Sequence, residues 1–203
     1  LLRHDVKNKL HTADGYLDLV EPDDCTAETA DHIETATRAL GDAMELIEQI
    51  STLSDLAEEE TEVWDLRGVL DDVVDSYASQ AAAEDVDLSY DGCEGSVHGG
   101  PLLEALFGNL LNNALKHSNA DTIEITCGRE ADEYVIVVED DGDGLPTEAA
   151  AQLLEEGVSK GKSGGSGLGL YLVDRIANSY GGSVELGESD EGGLRVTVRL
   201  QSA

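Results

Sequence analysis

One helical stretch carries side chains that could bind a metal ion and phosphate groups. Residues 109–117 read Asn-Leu-Leu-Asn-Asn-Ala-Leu-Lys-His, and apolar residues recur through this region at helical spacing, at Leu106, Leu110 and Ala114. Asn109 and Asn113 therefore share one helix face, with Lys116 and His117 one turn further on. Amide oxygens suit Mg²⁺, which usually also keeps substrate phosphates as ligands. By itself, the stretch is equally compatible with an ordinary solvated helix face.

A glycine-rich segment later in the chain is typical of phosphate binding. Residues 157–167 are rich in glycine. They lead into the run Gly165-Ser-Gly-Leu-Gly-Leu170, which opens a predicted helix. Glycine lets the backbone approach a phosphate, and a helix N-terminus offers unpaired N–H groups and a positive dipole. The pattern GxxxxGK[ST] is absent, which excludes a P-loop, and the segment does not directly follow a strand, which disfavours a Rossmann site. Taken alone, it could also be a flexible turn.

Asp140 ends an apolar strand, in the sequence Asp140-Asp-Gly142-Asp-Gly144. A carboxylate at this place could accept a hydrogen bond from the amino group of adenine, and the two glycines leave room for the base. Simple turn chemistry is the alternative, because Asp-Gly pairs are common in turns. The three motifs together, in this order, favour a nucleotide site.

His4 is a candidate nucleophile near the start of the chain. At about 100° per residue it lies about 160° from Val6 on the helical wheel, so it faces away from the apolar residues. Asp5 is adjacent and could accept the imidazole proton, and Asn8 follows on the same face. An ordinary surface histidine is the alternative, and we interpret His11 in that way.

The first 60 residues predict two packed helices. Residues 1–21 and 26–58 both carry apolar residues at alternating spacings of three and four, with a break at residues 21–24 and Thr26 as a cap for the second helix. One hairpin cannot bury both apolar faces, so we expect a homodimer that forms a four-helix bundle.

The remainder mixes helices and strands. Residues 58–63 are predicted to be a linker, followed by a helix over 66–84 capped by Asp65 and another over 168–180 ended by two glycines. A short helix is expected near residues 147–156. Predicted strands cover 86–90, 122–127, 134–139, 183–187 and 194–200. This order lacks regular βαβ alternation, which favours an α/β sandwich with helices on one sheet face.

The composition excludes several classes of partner. The chain has 203 residues, with 44 Asp and Glu against 12 Lys and Arg, and a formal charge of −32. Such a field repels nucleic acid and anionic membranes, so we expect contact with neither. The apolar periodicity indicates a folded protein, and we interpret the acidity as adaptation to concentrated salt, where the screening length falls to about 3 Å at 1 M.

Cysteine and hydropathy patterns favour a cytoplasmic segment. Cys25, Cys93 and Cys127 are far apart and odd in number, so we expect buried, unpaired thiols in a reducing compartment. No apolar run approaches the roughly 18 residues of a membrane span, and no signal peptide is visible. The sequence opens inside a helical pattern, so a sensor or membrane anchor could precede it.

These motifs together resemble the catalytic core of sensor histidine kinases. Asn109 to His117 is similar to their asparagine box, Asp140-x-Gly142-x-Gly144 to the first glycine box and Gly165-x-Gly167-Leu168-Gly169 to the second. His4-Asp5-Val6-Lys7-Asn8 is similar to their phosphoacceptor motif. The resemblance implies a dimerisation and histidine phosphotransfer hairpin over residues 1–60. It implies an α/β sandwich of the Bergerat ATP-binding type, shared with gyrase-type ATPases, over residues 61–203.

The resemblance also assigns roles to residues. ATP and Mg²⁺ are the implied cofactors, with Asn113 as the metal ligand, Asn109 and Lys116 as phosphate contacts and Asp140 as the adenine contact. His4 would be phosphorylated, and its phosphoryl group would pass to an aspartate in the receiver domain of a response regulator. Asn8 would help remove phosphate from that partner. The other nucleotide-binding residues implied are His117, Gly142, Gly144, Gly165, Gly167, Leu168 and Gly169.

Two departures from the family pattern leave details open. Many members carry a proline soon after the histidine, where this chain has Asn8-Lys9-Leu10, and the usual phenylalanine motif before the lid is replaced by Leu154-Glu-Glu-Gly-Val158. An ATP-driven clamp that hydrolyses ATP is a second function class, but hydrolysing relatives place a glutamate base where this chain has Asn109. An amide cannot accept a proton from water, so the kinase class is favoured. A nucleotide-binding scaffold without activity is the third.

Overall fold

The computed structural model describes residues 10, 11, 13, 17, 26–56, 61–145 and 168–203. The chain divides into two compact units, Leu1–Ser54 and Asp55–Ala203. The helix expected near residues 147–156 and the glycine-rich segment before residue 168 lie outside the described residues.

Helices make up what is described of the first unit. Helix α1, Ala27–Asp55, begins after Thr26, whose Oγ1 accepts a hydrogen bond from the backbone N–H of Thr29 at 3.2 Å. This bond confirms the predicted cap. Leu10, Ala13 and Leu17 are also helical and half-buried. On α1 the apolar face is only partly covered, and Ile50 is 52% exposed.

A five-stranded sheet organises the second unit. Its strands are β2 (Asp87–Tyr90), β4 (Thr122–Glu130), β5 (Glu133–Asp140), β6 (Ser183–Glu188) and β7 (Leu194–Gln201). They lie in the order β2-β4-β5-β7-β6. Strand β2 runs parallel to β4, and the other neighbours are antiparallel. All five were predicted, with β4 extending three residues beyond the expected end at Cys127 because it continues in register with β5 as far as Glu130.

In the part of the second unit that the structure describes, three helices complete the hydrophobic core: α2 (Leu66–Ala83), α3 (Leu102–His117) and α4 (Leu168–Ser179). Asp65 caps α2 by accepting from the N–H of Arg67 at 3.3 Å, as predicted. Helix α4 ends at a turn in which Gly181 has a φ of +73° and the N–H of Gly182 bonds to the Ala177 carbonyl. Helices and strands both contribute fully buried residues, which include Leu66, Leu103, Phe107, Ile123, Ile136, Leu172 and Ile176.

A second, two-stranded sheet was not predicted. Strand β1, Glu62–Asp65, pairs antiparallel with β3, Ser96–Gly99, with Trp64 opposite Val97. The expectation that residues 58–63 form a linker is therefore wrong for residues 62 and 63, while residues 58–60 lie outside the described part. Strand β1 has two adjacent apolar residues and β3 has a single one, so neither shows the alternation that predicts a strand. Their long-range pairing defines them.

The cysteine prediction is wrong for one pair. Cys93 and Cys127 are joined by a disulfide, with their Cα atoms 5.4 Å apart. Cys93 lies in the segment between β2 and β3, which folds back onto β4, and sequence spacing carries no sign of that approach. Cys25 lies outside the described residues.

Nowhere in the described part of the chain does a helix combine the length and apolar character needed to cross a membrane.

Candidate functional site

Helix α3 presents two asparagine amides with different surroundings. The Nδ2 of Asn109 donates to the Ala105 carbonyl of its own helix at 2.7 Å, which orients that amide. The Nδ2 of Asn113 is buried and has no hydrogen-bond partner among the residues that the structure describes. Buried polar groups are nearly always paired, so an amide left in this state is a candidate for ligand binding.

Helix α4 begins against these amides. A methyl group placed on Gly169 would lie 3.1 Å from both Nδ2 and Oδ1 of Asn113 and 3.4 Å from Oδ1 of Asn109. Gly169 is buried, and half-buried Leu168 is the first residue of the helix. The second glycine motif and the asparagine motif therefore meet, as their predicted common role requires.

Asp140 is the last residue of β5 and is only 6% exposed. Its Oδ1 accepts hydrogen bonds from the N–H of Gly142 at 3.0 Å and of Leu194 at 3.2 Å. Burial raises the pKa of this carboxyl, and the two hydrogen bonds oppose that rise without cancelling it. The site thus holds an oriented carboxylate in poorly solvated surroundings.

The loop after Asp140 is tied to the C-terminal end of α3. The N–H of Asp143 donates to the Ser118 carbonyl at 2.7 Å, and the Nδ2 of Asn119 donates to Oδ2 of Asp143 at 2.7 Å. Gly142 packs so closely on the Ser118 carbonyl that a side chain there would overlap it, and Gly144 has a φ of +66°. Both glycines are needed for the path of this loop.

Sequence reasoning missed Asp141 as part of this arrangement. Its Oδ1 accepts from the N–H groups of both Asp121 and Thr122, each at 2.9 Å. Hydrogen bonding to the ionised form, led by the Thr122 N–H, lowers the pKa of this carboxyl. The position of Asp141 inside the Asp140 motif was the only sign of this role in the sequence, because Asp121 and Thr122 lie about 20 residues earlier in the chain.

Of the described site residues, Gly169 packs against the asparagines of α3, and Gly142 packs on Ser118 just after that helix. Lys116 is exposed on that helix, and His117 is its last residue. Five predicted site residues lie outside the described residues, namely His4, Asp5, Asn8, Gly165 and Gly167.

The family comparison agrees with this geometry. The sequence model of the protein family described as "Histidine kinase-, DNA gyrase B-, and HSP90-like ATPase" matches residues 100–203, just over half of the chain. The chain belongs to this ATPase family. Its second unit accordingly has the Bergerat-type α/β ATP-binding fold, which confirms that part of the predicted fold class and the prediction of an ATP site.

Individual relatives match over larger parts of the chain. The sensor histidine kinase GtrS of Pseudomonas aeruginosa is 36% identical over 144 residues, which cover 70% of this chain and 29% of that protein. The sensor protein CreC of Escherichia coli is 27% identical over 98% of this chain and 44% of its own length. The chain thus spans less than half of either relative.

A solved member of the family shares the fold. The ATP-binding domain of PrrB from Mycobacterium tuberculosis superimposes with a TM-score of 0.60 and 26% sequence identity. The match covers 71% of this chain and 99% of that domain.

Proposed function

We propose that this chain is the core of a sensor histidine kinase, which phosphorylates itself on His4 with ATP and passes the phosphoryl group to an aspartate of a response regulator. The observation that carries the proposal is the meeting of Asn113, Gly169 and the Asp140 loop on helix α3. Membership of the ATPase family and the similarity to a sensor histidine kinase and to a sensor protein support the class.

The nucleotide would lie between α3, the Asp140 loop and the start of α4. Asp140 would accept a hydrogen bond from the adenine amino group, while Asn109 and Lys116 would contact phosphates. The N-terminus of α4 carries a positive dipole that suits an anion. The remaining contacts proposed are His117, Gly142, Gly144, Gly165, Gly167, Leu168 and Gly169.

Asn113 fits the role of magnesium ligand. Its Nδ2 is buried and has no hydrogen-bond partner among the described residues, and an amide oxygen is among the ligands that Mg²⁺ accepts. When bound, Mg²⁺ would neutralise charge on the phosphate groups.

The transfer step rests on the phosphoacceptor motif. An imidazole nitrogen of His4 would form a bond to the γ-phosphorus as the bond to the ADP oxygen breaks, and Asp5 would accept the imidazole proton. Positioning and charge stabilisation would supply most of the rate. CreC supports this assignment, because its likeness extends over 98% of this chain and so includes the N-terminal region.

Residues 1–60 would form the dimerisation and phosphotransfer domain, and residues 61–203 the catalytic domain. The apolar face of α1 is incompletely covered within one chain, with Ile50 at 52% exposure, which supports a second copy as its partner. We propose a cytoplasmic site of action, where the receiver domain of the regulator would be the second partner.

Hydrolysis of ATP by water is the competing reaction in this ATPase family. It needs a general base at the position of Asn109, and an amide cannot accept the proton. The Nδ2 of Asn109 donates to the Ala105 carbonyl, which orients this amide. The residue type at position 109 therefore favours transfer to a side chain over hydrolysis.

The decisive experiment is incubation with γ-labelled ATP followed by acid treatment. The chain should take up acid-labile, base-stable label, as phosphohistidine does. His4→Gln should bind ATP but take up no label, while His11→Gln, which changes an exposed helical histidine, should be labelled normally. Asn113→Ala should remove magnesium-dependent labelling and retain the fold.

Three results would contradict the proposal in different ways. Acid-stable label would exclude phosphohistidine, and phosphate found by mass spectrometry on His11 would move the acceptor. Release of inorganic phosphate without any labelled protein would favour the hydrolytic class.

A further inference from the structure

We propose that Ser189, in the turn between β6 and β7, is a positioning residue that orients Asp140 for the amino group of a 6-aminopurine. This inference rests on the proposed adenine site. Ser189 lies far from Asp140 in sequence, and no motif in the chain points to it.

Ser189 joins the turn to Asp140 through a buried hydroxyl. The side chain is 8% exposed, and its Oγ donates to the Asp140 carbonyl at 2.7 Å. The same Oγ accepts from the N–H of Gly193 at 2.9 Å. The hydroxyl thus bridges the end of β5 to the far side of the turn and uses both its donor and its acceptor capacity.

The turn itself is closed by backbone bonds at both ends. The N–H of Ser189 donates to the Gly193 carbonyl at 3.0 Å, and the N–H of Gly192 donates to the Ser189 carbonyl at 3.1 Å. Gly192 has a φ of +97°, which favours glycine. The Ser189 hydroxyl is therefore held on a defined support.

This turn also packs directly behind the carboxylate. A side chain on Gly193 would overlap the Asp140 carbonyl oxygen, and one on Gly144 would come within 2.9 Å of the Gly192 carbonyl oxygen. The next residue, Leu194, donates its N–H to Oδ1 of Asp140 at 3.2 Å. The turn therefore contacts both Asp140 and the last glycine of its motif.

As a result, one oxygen of the Asp140 carboxylate is already hydrogen-bonded within the protein. Both hydrogen bonds that the described residues donate to it, from Gly142 and Leu194, reach Oδ1. An incoming amino group is thus directed to Oδ2. Loss of the Ser189 hydroxyl would leave the Asp140 carbonyl and the Gly193 N–H without these bonds. The Leu194 N–H, which follows Gly193, would then be held less firmly against Oδ1, and the direction of the carboxylate would be less well defined.

The test compares the affinities of ATP and inosine triphosphate, which carries an oxo group in place of the 6-amino group. Calorimetry would give Kd values for wild type, Ser189→Ala and Ser189→Thr, which keeps a hydroxyl. Ser76→Ala is the matched control, because that hydroxyl donates to the Val73 carbonyl at 2.7 Å within α2. Thermal unfolding of each variant would establish that it is folded.

The preference of Ser189→Ala for ATP over inosine triphosphate should fall about fivefold, since one hydrogen bond is worth about 1 kcal/mol. Ser189→Thr should recover much of the preference, and Ser76→Ala should keep all of it. If Ser189→Ala fails to fold, Ser189→Cys, which exchanges the hydroxyl for a weak donor of similar size, provides the same comparison.

An unchanged ratio, or an equal loss of affinity for both nucleotides, would overturn the positioning role and leave the kinase proposal standing. A wild-type chain that binds ATP without preferring it would overturn the adenine assignment and this inference together.

Discussion

The amide of Asn113 and the backbone of Gly169 are in direct contact. A methyl group on Gly169 would lie 3.1 Å from both amide atoms of Asn113, closer than side chains normally pack. The contact joins α3 to the first turn of α4, where the positive end of the helix dipole favours an anion. The proposed metal ligand and the proposed phosphate-binding helix end are thereby placed side by side.

Gly169→Ala should disturb this contact. The added methyl group must displace the Asn113 amide by a few tenths of an ångström, so we expect ATP affinity to fall about fivefold to tenfold, equivalent to about 1 kcal/mol. Calorimetry in the presence of Mg²⁺ would measure it. Gly187→Ala is the control, because nothing lies within 4 Å of a methyl group there. Equal affinities of the two variants would show that the contact does not position Asn113.

ATP binding should weaken on acidification because of Asp140. Burial raises the pKa of this carboxyl, and the protonated form no longer presents a carboxylate to the adenine amino group. The fall in affinity should therefore begin above the range in which an exposed aspartate protonates, about pH 3.9. Kd measured against pH, with unfolding followed in parallel, would check it. If the affinity for ATP stays unchanged down to pH 4 while the protein remains folded, Asp140 is excluded as the adenine contact.

Asp140→Asn should separate stability from binding. A pKa raised on folding means that Asp140 contributes stability below its unfolded pKa and loses it as pH rises through the folded pKa. At neutral pH the buried charge therefore destabilises the free protein, so the variant should melt no lower than wild type. Its ATP affinity should fall at least tenfold, since an amide can present a donor to the amino group. A lower melting temperature with unchanged affinity would contradict both parts.

Asp141 should stabilise the fold at neutral pH and lose that effect in acid. Its pKa is lowered by the N–H groups it accepts from, so its stabilisation is present above the unfolded pKa and disappears as pH falls through the lower folded pKa. Asp141→Ala should lower the free energy of unfolding by about 1 kcal/mol at pH 7, measured by urea denaturation. Asp141→Asn keeps an oxygen at Oδ1 and should lose less. If each variant loses as much free energy of unfolding at pH 3 as at pH 7, the hydrogen bonds to the ionised carboxylate are excluded as the cause.

The charge of −32 predicts a fold that needs salt. Repulsion among acidic groups should lower stability at low ionic strength, and the melting temperature should rise steeply in KCl up to about 1 M, where the screening length is about 3 Å. Sucrose at matched osmolality is the control, because it does not screen charge. A melting temperature that stays flat from 0.1 to 3 M would remove the interpretation as salt adaptation and leave the kinase proposal intact.

Asn8 should contribute to removal of phosphate from the response regulator. It lies one helical turn beyond His4 in the sequence, and its amide could orient a water molecule without acting as a base. Asn8→Ala should slow loss of phosphate from a separately phosphorylated regulator mixed with kinase and ADP, while His4 labelling stays near normal. An equal loss of both activities would reduce Asn8 to a support of the helix or the docking surface.

The sequence by itself determined the features that depend on neighbouring residues. The helical stretch around Asn109, the caps at Thr26 and Asp65 and the strand that ends at Asp140 follow from periodicity and local hydrogen bonding, and the structure reproduces them. The order of the nucleotide motifs was likewise enough to indicate an ATP site. These properties are local, so the chain needs no partner segment to specify them.

Only the tertiary structure decided which distant segments support the site. The pairing of β1 with β3, the disulfide between Cys93 and Cys127, the two N–H groups that bind Asp141 and the Ser189 turn behind Asp140 all join segments well separated in the chain. The sequences of β1 and β3 do not alternate, and a single polar side chain carries no periodic signal. Their partners are chosen when the sheet and helices pack, because burial then requires each polar group to find a hydrogen bond.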